Sequence, residues 1–411
     1  MSLPALRFKE FNGVWKNRPL SEIIGRLESG VSVNSEDSPI TGFHEYGILK
    51  TSCIADGYFI EQENKKIIPI DISRAKLNPN EDTILVSRMN TPLLVGEVGY
   101  VTKSYPNLFV PDRLWLIEVK NKSRDSTKWL SQQLTTKKLK SALTNIASGT
   151  SGSMKNIAQP NFLKIELSTP EFNEQTKIAN FLTAVDEKIT QLTQKHDLLI
   201  QYKKGVMQQI FSQELRFKDD DGQDFPEWED FLLKDALIKN SRKNKNGEFK
   251  LVQSVSNKHG FINQEELFEG RVIASKDLSN YYIIKKSAFA YNPSRIDVGS
   301  LAYKSDDLTS VVSPLYVSFY SKPNLINDSY LFNWFDTEQF KNQMNGSFEG
   351  SVRNTLSYDS LSKISVALPS LKEQTKIANF LTAVDEKITV NQTQLQAVKQ
   401  YKQGLLQQMF V

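Results

Sequence analysis

The sequence contains one cysteine, Cys53, so it cannot form an internal disulfide. Histidine is almost as scarce: His44, His196 and His259 are scattered, without the spacing that holds a metal. No apolar run approaches the roughly eighteen residues a membrane helix needs. The opening MSLPALRFKEFNGVW carries charges where a secretory signal would be apolar, so the expected location is the cytoplasm. What is present is ordinary globular material, with 39% hydrophobic and 24% charged residues over 411 positions. That length calls for more than one core. The net charge of +4 permits an anionic partner without demanding one.

One repeat organises the chain. EQTKIANFLTAVDEKIT occupies 174–190 and again 373–389, an offset of 199. At the same offset Tyr202-Lys203-Lys204-Gly205 meets Tyr401-Lys402-Gln403-Gly404, and Gln208, Gln209 and Phe211 meet Gln407, Gln408 and Phe410. Leu-Arg-Phe-Lys at 6–9 recurs at 215–218, each copy followed by a tryptophan, Trp15 or Trp228. Between these marks similarity is weak, with an offset near 203: YGILKTSCIADGY (46–58) matches FKLVQSVSNKHGF (249–261) in pattern. The chain is a duplication of a variable block and a constant helix. Two copies are too few for a solenoid and suit a pseudo-twofold molecule.

In the first constant segment Ile178, Leu182, Val185, Ile189, Leu192, His196, Leu199, Lys203, Val206 and Ile210 alternate four and three apart. The second gives Ile377, Leu381, Val384, Ile388, Asn391, Leu395, Val398, Lys402, Leu405 and Met409. A 3.5-residue period held this long is a coiled-coil seam. Pro170 and Pro369 stand where each helix can begin. The span 178–210 predicts a helix of roughly 50 Å. Two separate amphipathic helices, each packed on its own block, are the alternative. The narrow stripe and near-exact repetition favour a mutual pair, with polar His196, Lys203, Asn391 and Lys402 fixing its register.

The variable blocks read as α+β. Strand-like runs lie at 84–89, 98–101, 114–119, 281–291 and 311–320. One helical stretch follows in each block, roughly 126–147 and 329–345, started by Ser126 and Asp328. Gly/Ser loops then close each block at 148–156 and 345–354. Segment 120–158 holds eight basic residues against one acid, including Lys137, Lys138, Lys140 and Lys155. It is a candidate phosphate-contacting surface, the alternative being a solvated helix face. Lys155-Asn156 at the end of one loop and Arg353-Asn354 at the end of the other favour contact, because small residues let backbone approach a ligand while a cation and an amide read phosphates and base edges. Arg88, Asn90, Asn292 and Arg295 are further DNA-binding candidates.

Catalytic patterns fail on inspection. Asp112 and Glu118 resemble nuclease carboxylates, but six residues of strand separate them by about 20 Å, too far to share a metal. Asn292-Pro293-Ser294-Arg295 lacks the second proline and the aromatic of an amino-methyltransferase motif, and no glycine-rich turn for S-adenosylmethionine accompanies it. Asp219-Asp220-Asp221-Gly222 has the wrong spacing for a calcium loop. The acidic run 218–230 reads as a solvated connection. No catalytic or metal-binding residue is expected.

Two variable blocks alternating with two near-identical helices, each entered through P-x-x-x-EQ-x-x-I-A-x-x-L (Pro170 to Leu182, Pro369 to Leu381), resemble the specificity subunit of a type I restriction–modification enzyme. FPEW at 225–228 is also similar to family members. The resemblance covers essentially the whole chain and implies an α+β architecture. Two globular target-recognition domains, 1–169 and 215–368, would alternate with long helices, 170–214 and 369–411, paired as an antiparallel coiled coil in a pseudo-twofold duplication. Each domain would read one half of a bipartite, asymmetric target in double-stranded DNA. The helices would set the spacer and dock two methyltransferase subunits, with Ile178, Leu182, Val185, Ile189, Leu192, Ile377, Leu381, Val384, Ile388 and Leu395 at the helix pair and docking surface. Restriction and translocase subunits would complete the assembly. S-adenosylmethionine, ATP and magnesium would sit on these partners, leaving this subunit non-catalytic and free of cofactor. A structural adaptor whose paired helices bind some other dimeric protein is the competing reading.

Overall fold

The architecture comes from a computed structural model that describes the chain apart from residues 1–2, 43, 56, 150–153, 258, 268–274 and 350–353. Two compact units emerge, one made of 1–193 with 393–411, the other of 194–392. Both long helices therefore contribute to both units. Among the described residues no helix is long and apolar enough to cross a membrane.

The first unit is built on a six-stranded sheet in the order Ile24–Ser29, Leu114–Val119, Thr83–Ser87, Val98–Val101, Gly57–Phe59, Ile54–Ala55. Its pairings are antiparallel except for Gly57–Phe59 on Val98–Val101. Leu114–Val119 is buried on both faces because it separates two cores. Trp115, Ile117 and Val119 enter one, Leu114 and Leu116 the other. The expected single helix at 126–147 is two, Thr127–Leu134 and Lys137–Ile146. Thr135 and Thr136 break it: both hydroxyls bond back to carbonyls of the preceding turn, and Thr136 caps the next helix.

The second unit has a four-stranded sheet in the order Leu237–Lys239, Val317–Ser321, Ala288–Tyr291, Leu301–Tyr303. The run expected at 281–291 divides into Tyr282–Ile284 and Ala288–Tyr291, with Ser287 at φ 68° between them. The run at 311–320 likewise divides into Ser310–Val312 and Val317–Ser321. Its helical stretch is again two, Asp328–Trp334 and Glu338–Asn345, capped by Asn327 and Thr337. Asn327, not Asp328, accepts the first free backbone N–H, while the Asp328 carboxylate takes the Tyr303 and Ser321 hydroxyls.

The long helices span Phe172–Phe211 and Leu371–Gln408. Forty residues make a rod of roughly 60 Å. All twenty seam positions are buried or half-buried, while most others in the middle of each helix are exposed. Burial is of two kinds. In the first unit Ile178, Ala179 and Leu182 join Leu405, Met409 and Phe410 in the core around Trp129 and Phe162. Further along, Ile189 and Leu192 meet Leu395, with Val185 and Val398 beside them. In the second unit Val206, Met207, Ile210 and Phe211 join Ile377, Ala378 and Leu381 around Tyr330 and Trp334. So each helix packs partly on a block and partly on the other helix.

Candidate nucleic-acid interface

The repeated Glu-Gln has a structural task. Arg7 donates from Nε and Nη2 to the Glu174 carboxylate at 2.7 Å each, and Glu174 is 1% exposed. Arg216 makes the corresponding pair with Glu373, at 3.3 and 2.9 Å. Gln175 donates to Pro170 O and accepts from Ser126 N; Gln374 donates to Pro369 O and accepts from Asn327 N. Each amide therefore ties the start of a long helix to the start of a block helix. Reading by sequence missed Arg7, Glu174, Arg216 and Glu373, although both LRFK and EQTK were visible as repeats.

Above this base each unit forms an edge where two loops meet. In the first, Lys155-Asn156 pairs antiparallel with Met89-Asn90, and Ile157 N donates to Arg88 O at 2.8 Å. In the second, Leu356 N donates to Pro293 O at 3.0 Å, bringing 292–295 against 354–356. Residues 157 and 356 are equivalent at the 199 offset, so the candidates converge at the same place in both units. Arg88 lies with its guanidinium 5.7 Å from the Trp115 ring centroid. Its Nε and the Oδ1 of Asn156 are buried without a hydrogen-bond partner among the described residues.

Several candidates take other roles. Asn90 is 9% exposed, donates to Ser87 Oγ and accepts from Thr91 N. It shapes the turn, and its amide is enclosed there rather than presented outward. The Asn292 side-chain Oδ1 accepts from Ser294 N, which fixes the turn on which Arg295 is exposed. Lys140 is paired with Glu97, which burial holds in place, so its charge is partly spent inside the fold. Lys137 and Lys138 are exposed, Lys155 half-buried and Asn354 exposed. Arg353, with the middle of both Gly/Ser loops, lies outside the described residues. Among the rejected carboxylates, Glu118 pairs with Arg26 at 3.0 Å, while Asp112 accepts from Ser32.

The docking expectation for the seam needs correction. Ile178, Leu182, Ile377 and Leu381 are at most 2% exposed inside the cores, and Ile189, Leu192, Val384 and Leu395 are also buried. Val185 and Ile388 are half-buried. Side chains that hold a fold together cannot also form a partner's surface, so any docking must use the exposed flanks of the helices.

Comparison with known proteins places this geometry. The family model for the type I restriction modification DNA specificity domain matches twice, over residues 34–201 and 227–400. The chain is similar to the type I restriction enzyme MjaVIII specificity subunit of Methanocaldococcus jannaschii, 24% identical over 97% of this chain and 94% of that one. In fold it is similar to the type I restriction–modification S subunit from M. genitalium, at TM-score 0.63 and 17% identity, covering 100% of this chain and 99% of the other. A chain from work on complex assembly and conformational transition of the type I R-M system aligns at TM-score 0.52 and 14% identity, over 98% of each. With most of both blocks and both copies of the repeated segment, 174–190 and 373–389, inside those two matches, the chain belongs to the type I restriction modification DNA specificity family, whose task in restriction–modification is DNA target recognition.

Proposed function

We propose that this chain is the non-catalytic reading subunit of a type I restriction–modification complex, with each block, 1–169 and 215–368, reading one half of a bipartite, asymmetric DNA target. The observation that carries the reading is the recurrence of one loop-on-loop edge in both units with different side chains: Arg88, Lys155 and Asn156 in one, where Pro293, Asn354 and Thr355 stand in the other. A shared scaffold with unlike side chains suits two readers of unlike sequence.

The long helices, 170–214 and 369–411, act as an antiparallel coiled coil with pseudo-twofold symmetry, setting the unread spacer and docking two methyltransferase subunits on their exposed flanks. The salt bridges Asp186–Lys402 and Lys203–Asp385, equivalent at the 199 offset, support that pairing. S-adenosylmethionine belongs to the methyltransferases, ATP and magnesium to the translocating restriction subunits. The test is a base-resolution map of methylated adenine in cells carrying the partner subunits, before and after residues 1–150 are exchanged for the first block of another specificity subunit. Half of one interrupted motif should change. A change in both halves, or none, overturns the modular reading.

A further inference from the structure

The two units differ in one groove between the helix pair and the corner joining the two block helices. In the first unit the chain fills it with its own Gly57-Tyr58. The Tyr58 hydroxyl donates to Asp186 Oδ1 at 2.5 Å, Lys402 Nζ lies 4.8 Å from the tyrosine ring centroid, and Gly57 sits so close to Thr135 that a Cβ there would meet its Cγ2 at 3.1 Å. Glycine is required at φ 87° and by that contact.

In the second unit the Lys203–Asp385 pair repeats Lys402–Asp186 at 2.7 Å, and Asp336-Thr337 stands where Thr135-Thr136 stands in the first. Here the groove is a cavity of about 740 Å³, floored by Met207, Phe211 and Ile388 and rimmed by Ile200 and Thr337. Phe261, the position matching Tyr58 at the 203 offset, packs elsewhere, 5.7 Å from Lys304 Nζ.

We infer that the groove of the second unit receives a tyrosine from an extended segment of a partner protein, seated as Tyr58 is seated in the first: ring against the Lys203 stem and Ile388, hydroxyl donating to Asp385. The first unit supplies the template for the occupant's chemistry. Its own segment needs a small residue before the tyrosine to clear the corner, so the partner's segment is Gly-Tyr-like. The inference is independent of which DNA sequence is read.

The test uses the full chain with methyl-labelled isoleucine and methionine, titrated with acetyl-Gly-Tyr-Phe-amide, the sequence of residues 57–59. Saturable shifts of the Ile200, Ile388 and Met207 methyls at millimolar peptide are expected. Replacing the peptide's tyrosine by phenylalanine should weaken binding about tenfold, the worth of one hydrogen bond to a charged group. Asp385→Asn should remove that preference, and Ile200→Trp, on the exposed rim, should block binding while leaving first-unit methyls in place. Absence of saturable shifts, equal affinity for the phenylalanine peptide, or indifference to Ile200→Trp would each overturn the inference. So would p-cresol binding as tightly as the peptide, because the groove would then take a free phenol and not a protein segment.

Discussion

Lys402 Nζ lies 2.6 Å from Asp186 Oδ1 in the first unit, and Lys203 Nζ lies 2.7 Å from Asp385 Oδ1 in the second. The lysine comes from the late part of one long helix, the aspartate from the early part of the other. Both lysines were seam positions in the heptad pattern, and both aspartates sit one residue past a seam valine. A cation in an apolar seam is tolerable because a carboxylate of the facing helix neutralises it.

Reversing one partner should therefore cost more than an exposed pair would. Asp186→Lys places like charges together and leaves Tyr58 without its acceptor, with an expected loss of about 1–3 kcal/mol. The exchange Asp186→Lys with Lys402→Asp should recover most of it. Urea unfolding of the full chain measures both, and a double variant no better than the single one would show that the pair does not couple.

Arg7 stabilises a buried carboxylate, so its removal strands a charge. Arg7→Met should lower stability by roughly 3–5 kcal/mol, the usual cost of breaking a buried pair from one side. Glu174→Gln should cost less, since the amide oxygen still accepts one of the two Arg7 bonds and the guanidinium left unpaired is nearer solvent than Glu174. The unfolding midpoint of the first unit, read from Trp15 and Trp129 fluorescence, distinguishes the two.

The basic stretch 120–158 is not uniform in its expected effect on DNA binding. Lys137→Ala and Lys138→Ala should each lower the slope of log affinity against log salt by about one. Lys140→Ala should leave the slope nearly unchanged and reduce stability, because Glu97, 11% exposed, loses its partner. Affinity measured across a salt series in the assembled complex separates these roles.

Asn391 is 2% exposed, and neither atom of its amide has a partner among the described residues. The equivalent position in the first helix is Leu192. Asn391→Leu should raise stability by about 1–3 kcal/mol by relieving a buried amide, at the expense of the register that a polar seam residue imposes. A higher melting temperature together with altered spacer length in the methylation map would show both effects.

Cys53 is fully buried, and burial pushes its thiol well above the ordinary range. A protonated, enclosed thiol does not react. The native chain should resist iodoacetamide at neutral pH and label only as the first unit unfolds. Rapid labelling under native conditions would contradict the described packing.

Some of this was determined by the sequence alone. The duplication, the long helices and the seam are local or periodic properties: identity at a fixed offset, proline before each helix, and a 3.5-residue spacing are all properties of the chain itself. The central strands of the first block were equally legible, because an apolar run between turn residues needs no knowledge of its neighbours. The meeting of 88–90 with 155–157 was anticipated only as a set of candidate side chains, since nothing in the spacing says which loops touch.

Tertiary structure decided the rest. Only the folded chain shows that Glu174 belongs to Arg7, 167 residues away, that Asn90 closes a turn instead of facing outward, and that Lys140 is partly spent on Glu97. The same is true of the seam, whose outer residues are core and whose middle is a helix pair. A heptad pattern states that a face is buried and is silent about what buries it. The partner of a buried side chain is set by long-range packing, and that information is distributed over the whole chain.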